Sequence, residues 1–90
     1  MNENISFTMR GLDDYIYWQT EDKRTLKKIN QLIRDIIRSG YSGIGHPEPL
    51  KDNLSGYWSR EIDDKNRIVY RVLDSGTVEI VQCRGHYSDK

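Results

Sequence analysis

Long apolar runs are missing from this sequence. No segment approaches the roughly 18 consecutive apolar residues that a membrane-crossing helix needs, and no apolar stretch follows Met1, so no membrane association is expected and the expected setting is the cytoplasm. A single cysteine, Cys83, cannot form an internal disulfide, which removes the usual sign of an oxidising compartment. An excess of either charge is lacking too, with 14 basic against 14 acidic residues. A protein that captures free nucleic acid through its phosphates normally carries a basic excess. A neutral chain acting on RNA therefore needs the RNA delivered to it, or must rely on a local basic patch. His46, His86 and Cys83 are too few and too scattered for a zinc-binding spacing, and no Ser/His/Asp order is legible. Gly43-Ile44-Gly45 lacks the third glycine and the preceding strand of a dinucleotide site. No metal and no cofactor are expected.

What remains is enough for one small domain, expected to span residues 1–90, with a single core between two packed layers. Ile5-Ser6-Phe7-Thr8-Met9 alternates apolar and polar residues and predicts a half-buried strand. From Gly11 the period becomes helical. Leu12, Tyr15 and Ile16 mark the expected inner face of a short helix ending near Thr20, with Asp13 and Asp14 in its first turn. A longer helix follows, capped by Thr20 or Asp22, with an apolar stripe of Leu26, Ile29, Leu32, Ile33, Ile36 and Ile37. Lys23, Lys27, Lys28, Arg34 and Arg38 lie mainly off that stripe. They suit RNA or an acidic partner, and suit an ordinary solvated helix face better. Gly40 ends the helix.

Residues 41–55 form a Gly- and Pro-rich loop in which Pro47 and Pro49 bracket Glu48. Each proline fixes one backbone dihedral and disfavours helix before it, so the carboxylate is held on an extended segment at low entropic cost, which suits catalysis; taken alone, the residue fits an ordinary solvent-exposed loop position better. Three strands are expected beyond it. Trp58, Ile62, Ile68, Tyr70 and Val72 share even parity, so burying them together requires an odd-length turn around residues 63–65. A three-residue turn at Asp74-Ser75-Gly76 sets Val72 opposite Val78, Tyr70 opposite Ile80 and Arg67 opposite Cys83. The odd face then carries Glu61, Arg67, Val69 and Arg71, with Arg71 facing Glu79 as a charge pair. Arg60 counts to the core side, where a structural role, with its stem buried and its head at the rim, fits at least as well as a catalytic one. Strict alternation puts His86 on the face opposite Arg67, and a bulge or bend at Gly85 would bring it back.

Glu48, Arg67 and His86 together fit one reaction, cleavage of RNA by its own 2′-hydroxyl. The carboxylate takes the 2′ proton, the imidazole protonates the departing 5′ oxygen, and the guanidinium stabilises the phosphorane. Tyr87 offers a face for a splayed base.

At these residues the chain resembles the YoeB (Txe) toxins of bacterial toxin–antitoxin modules, in the wider RelE/ParE superfamily. The resemblance runs through Asp13-Asp-Tyr-Ile-Tyr-Trp18, Lys27-Lys-Ile-Asn30, Gly45-His-Pro-Glu-Pro-Leu-Lys51, Leu54-Ser-Gly-Tyr-Trp-Ser-Arg60, Arg67-Ile-Val-Tyr70 and His86-Tyr87. It implies an α+β fold, β-α-α-β-β-β, with two N-terminal helices on a small, mostly antiparallel twisted sheet. It implies a metal-independent, ribosome-dependent endoribonuclease that cuts mRNA in the ribosomal A site. Its implied partners are a YefM-like antitoxin that neutralises it and the 70S ribosome with its mRNA. A homodimer fits the family, although no sequence feature demonstrates one. By position, Glu48 matches the general base, His86 the general acid and Arg67 the phosphate-stabilising arginine. Tyr87, Lys51 and Arg60 match positioning residues. Ribosomal delivery also accounts for the neutral charge.

Three departures bear on catalytic strength. His46 stands where the family usually has lysine, Glu61 where it usually has a second arginine, and Ser88-Asp89-Lys90 follow the usually terminal His-Tyr pair. The alternative reading is a weakened or non-enzymatic toxin on the same scaffold, acting by binding its target.

Overall fold

The computed structural model describes residues 4–86. β1 (Asn4–Phe7) leads into α1 (Met9–Glu21) and α2 (Lys23–Ser39). After a loop come β2 (Glu48–Pro49), a short 3-10 turn (Asp52–Leu54), β3 (Trp58–Glu61), β4 (Arg67–Val72) and β5 (Thr77–Gln82). The sheet runs in the order β1-β5-β4-β3-β2, with β1 parallel to β5 and every other pair antiparallel. The expected two helices on a mostly antiparallel sheet are present, and β2 is added at its edge. None of the helices is long and apolar enough to cross a membrane among the described residues.

The connection from β1 to α1 is one residue long. Thr8 caps the helix by accepting from the Gly11 N–H at 3.1 Å, and its hydroxyl donates to the Val81 carbonyl at 3.1 Å. Helix α1 therefore begins two residues earlier than expected, and Asp13 and Asp14 lie beyond its first turn. Its inner face also differs from the sequence reading. Leu12 and Ile16 are exposed, and the buried positions are Gly11, Asp14 and Trp18. Close approach is the reason: a Cβ at Gly11 would collide with the Ile80 carbonyl oxygen, so the helix crosses β5 backbone to backbone. Asp14 is satisfied there by the Cys83 N–H at 3.0 Å and Arg10 Nε at 3.3 Å, and Trp18 Nε1 donates to the Cys83 carbonyl at 2.8 Å.

Helix α2 matches its stripe. Asp22 caps it, accepting from the Arg24 and Thr25 N–H groups. Ile29, Leu32 and Ile36 have no exposure, Ile33 is buried, and Leu26 and Ile37 pack at the margin. They meet Ile68, Tyr70, Val78, Ile80 and Cys83 from the sheet. Each such apolar side chain contributes about 1.5–3 kcal/mol when buried. Gly40 closes the helix at φ 67°.

The β3–β4 register is the expected one, Trp58 opposite Tyr70 and Arg60 opposite Ile68, with the turn at residues 63–65. The β4–β5 register holds from Val72–Val78 to Tyr70–Ile80 and then slips, so that Val69 faces Gln82. Val81 is the extra residue of a bulge, and Arg67 is not opposite Cys83. The bulge lies where α1 crosses, with the Val81 carbonyl turned to Thr8 and Cys83 moved into the core. This bulge comes in addition to the bend expected at Gly85, which is also present, at φ 80°.

Candidate active site

The face of the sheet turned away from α2 carries Glu48 and Arg67, and register places them. Strand β2 pairs Glu48 with Ser59, and β3 pairs Ser59 with Val69 and Glu61 with Arg67. Arg67 Nη1 stands 4.0 Å from Glu48 Oε2, with 22% of the arginine side chain and 54% of the glutamate exposed. The carboxylate and the guanidinium read from sequence are therefore brought together, at a distance where a substrate oxygen can compete for either. The Arg67 N–H donates to the Gly85 carbonyl at 3.0 Å, and the Gly85 N–H donates to Asn66 Oδ1 at 2.7 Å. Gly85 takes a φ of 80°, so the chain bends there. The peptide preceding His86 is pinned to the strand end that carries Arg67. His86 is half-buried at this corner. Tyr87 lies outside the described residues. Lys51 is exposed, one residue past the buried Leu50, where the chain leaves β2.

Arg60 occupies a different environment. Its side chain has no exposure, and each of its five N–H donors has an acceptor. Nε donates to the Tyr70 hydroxyl at 3.1 Å. Nη1 donates to Asp35 Oδ2 at 2.6 Å and the Ile44 carbonyl at 3.1 Å, and Nη2 to the carbonyls of Gly40 at 2.8 Å and Ser42 at 2.7 Å. The expectation that Arg60 positions RNA by contact is corrected here, because no donor is left and no solvent reaches it. It positions the loop instead. Asp35 completes the anchor, accepting also from the Ile44 N–H at 3.1 Å and Arg38 Nη2 at 2.8 Å. The Arg60 hydrogen bond, opposed by burial and reinforced by Arg38 and Ile44, lowers the Asp35 carboxyl from 3.8 to about 2.

The loop leaves this anchor through a narrow passage. A Cβ at Gly43 would strike Asp35 Oδ2, and Gly43 itself adopts φ 125°, so only glycine fits. The Gly45 carbonyl then accepts from the Glu61 N–H at 2.7 Å, and the Leu50 N–H donates to the Tyr57 carbonyl at 2.9 Å. Residues 45–50 thus run along the edge of β3. Tyr41 holds the start of the loop from outside, its ring stacked on Trp58 at 4.5 Å and its hydroxyl accepting from the Val72 N–H at 2.9 Å.

Two features escaped the sequence reading. Ser59, opposite Glu48, is fully buried, and its Oγ is the one buried side-chain polar atom without a hydrogen-bond partner among the described residues. Such an atom costs about 1–3 kcal/mol. Its odd position within Trp58-Ser59-Arg60 was the only available signal. The second is Tyr57, whose ring lies under the guanidinium of Arg71 at 5.0 Å. Among the described residues no group of three or more His, Cys, Asp or Glu side chains could hold a metal ion.

Comparison with known proteins agrees with this architecture. The family model for the YoeB-like toxin of bacterial type II toxin–antitoxin systems matches residues 7–87. Toxin YoeB of Streptomyces coelicolor is 53% identical over 83 residues, covering 92% of this chain and 98% of the relative. A YoeB/ParE toxin from Agrobacterium tumefaciens superposes with a TM-score of 0.91 at 48% identity, covering 94% of this chain and all of that one. The YoeB–YefM complex from Staphylococcus aureus gives a TM-score of 0.86 at 44% identity, covering 97% of this chain and all of the matched one. The Staphylococcus aureus toxin has also been solved as a YoeB dimer.

Proposed function

The chain belongs to the family of YoeB-like toxins of bacterial type II toxin–antitoxin systems, and from that membership we propose that it is an mRNA endoribonuclease acting on the programmed ribosome. The observation that carries the chemistry is the ion pair of Glu48 and Arg67 at 4.0 Å, beside the peptide that presents His86. In the reaction, Glu48 takes the proton from a ribose 2′-hydroxyl as that oxygen attacks the adjacent phosphorus. Arg67 offers its N–H donors to the equatorial oxygens of the phosphorane, where negative charge accumulates. The bond from phosphorus to the 5′ oxygen breaks, and His86 supplies the proton that the leaving oxygen needs. The products are a 2′,3′-cyclic phosphate and a free 5′-hydroxyl. Every proton is accounted for by the chain's own side chains, so no metal or cofactor is required. Lys51 and Tyr87 serve to hold the RNA.

A neutral protein has little means of collecting free RNA, which supports delivery of the message in the ribosomal A site. A YefM-like antitoxin is its neutralising partner, in keeping with the Staphylococcus aureus complex, and self-association follows the dimeric relative. Its setting is the cytoplasm, where translating ribosomes are found.

A second reading has one specific support. Glu61 is the direct cross-strand neighbour of Arg67, on the same face, and a carboxylate there competes with phosphate for the guanidinium. On that reading the protein is a weakened enzyme, or a toxin that acts by binding. Single-turnover cleavage of mRNA on programmed 70S ribosomes separates the two. Glu48→Gln and His86→Ala are expected to slow cleavage by about 10²–10⁴-fold each, and Glu61→Arg to accelerate it. Variants that cut as fast as the parent would remove Glu48 and His86 from the mechanism. A parent that leaves the message intact while Glu61→Arg cuts it would establish the weakened enzyme.

A further inference from the structure

The catalytic face holds a second arginine that the chemistry above does not use. Arg71 lies four residues beyond Arg67 on β4, about 13 Å along the strand and on the same face. Between them is the row Glu48–Ser59–Val69. The two arginines are built alike. Arg67 faces Glu61 on β3, and Arg71 faces Glu79 on β5, so each has a glutamate directly across from it. In Arg71 the consequence is visible in the geometry. Its Nε donates to Glu79 Oε1 at 2.8 Å, and its guanidinium lies over the Tyr57 ring at 5.0 Å. Two independent contacts therefore hold the planar group before any ligand arrives. Its Nη nitrogens donate to no acceptor among the described residues, and 40% of the side chain is exposed.

A guanidinium clamped at one edge and on one face, with its other edge carrying spare donors, is prepared for a tetrahedral or planar anion at low entropic cost. Its anchoring toward Tyr57 and Glu79 separates it from Arg67, so the two do not serve one phosphate. We propose that Arg71, held by Tyr57 and Glu79, binds a backbone phosphate of the RNA next to the scissile one, fixing the direction in which the strand crosses Glu48. This rests on the ribonuclease reading and adds to it a subsite that sets register. Arg71 contacts the substrate, while Tyr57 and Glu79 are positioning residues. The strand then lies along β4, with the scissile phosphate toward Arg67 and its neighbour toward Arg71.

The test is a two-way comparison on programmed 70S ribosomes under sub-saturating, single-turnover conditions. One arm replaces Arg71 with Gln. The other replaces, one at a time, each phosphate flanking the cleavage site by a neutral methylphosphonate. Losing one charge-assisted hydrogen bond is expected to slow the parent by about tenfold or more, both for Arg71→Gln on natural mRNA and for one of the two neutral substitutions. Arg71→Gln should then be indifferent to that same substitution, and Arg71→Lys should recover part of the rate. Equal cleavage by parent and Arg71→Gln overturns the inference, as do independent, multiplying losses from the variant and the neutral phosphate. In either case the ribonuclease reading stands, because the parent has cut natural mRNA. A parent that cuts no mRNA at all overturns the ribonuclease reading, and this subsite with it. Matching thermal melts of parent, Arg71→Gln and Arg71→Lys confirm that the comparison is made on folded protein.

Discussion

Replacing Asp35 with asparagine leaves the Arg60 guanidinium fully buried and without its counter-charge. The carboxylate accepts from Arg60 Nη1, the Ile44 N–H and Arg38 Nη2, and only 7% of the residue is exposed, so solvent does little to compensate. Breaking a buried pair by removing one partner costs about 3–5 kcal/mol. That is a large share of the roughly 5–15 kcal/mol that stabilises a domain of this kind. The parent should show the same interaction through pH. Its Asp35 carboxyl, lowered from 3.8 to about 2, is charged across the neutral range, so the stabilisation is fully present above about pH 4. It is lost as pH falls from 3.8 through about 2, a loss on the order of 2 kcal/mol. This is smaller than the cost of substitution because a protonated carboxyl can still accept a hydrogen bond from Arg60. Urea titration followed by tryptophan fluorescence measures both. With an m-value of about 1–3 kcal/mol/M, Asp35→Asn should lower the midpoint at pH 7 by about 2 M. Between pH 4 and 2 the midpoint of Asp35→Asn should fall less than that of the parent. A variant within about 1 kcal/mol of the parent at pH 7 would refute the view of Arg60 as a charge held in the interior by Asp35.

Two further outcomes follow from the packing of α1. Gly11→Ala places a methyl group against the Ile80 carbonyl, and backbone on both sides cannot yield; thermal denaturation should show a loss of about 3 kcal/mol, and an unchanged melting temperature would contradict the close crossing. Cys83 has no exposure, and burial, assisted by the charge of Asp14, pushes its thiol up to about 12; a thiol-specific disulfide reagent should label it only as fast as the protein unfolds, and rapid labelling of native protein would show that the β5–α1 seam opens locally.

Sequence parity was sufficient for the β3–β4 hairpin because only one register gathers Ile62, Ile68 and Tyr70 in the core against α2. The same count placed Arg60 inward, where it lies. Parity failed at Val81, since nothing in Ile80-Val81-Gln82 marks a bulge; its cause is the helix that crosses there, a contact between residues about 70 positions apart. The inner face of α1 was illegible for a related reason. A periodicity count rewards large apolar residues, whereas this helix makes its contact with glycine and a satisfied carboxylate. In the candidate site, residue types were enough to select Glu48 and Arg67, which the fold brings to 4.0 Å. Nothing in the types of Tyr57, Arg71 and Glu79 distinguishes a clamped arginine from an ordinary surface charge pair.

The loop that carries Glu48 is moored from beneath. Its carbonyls at Gly40, Ser42 and Ile44 are tied to the interior arginine, and Gly43 passes against Asp35, while His46 and Glu48 are exposed to solvent. Inward and outward sides of the same loop therefore answer to different demands. Substitutions at the outer positions can change what the loop touches while leaving its path intact, and substitutions at the inner ones alter the path itself. Such a partition lets a lineage of toxins vary its recognition chemistry one residue at a time without rebuilding the frame that aims the carboxylate.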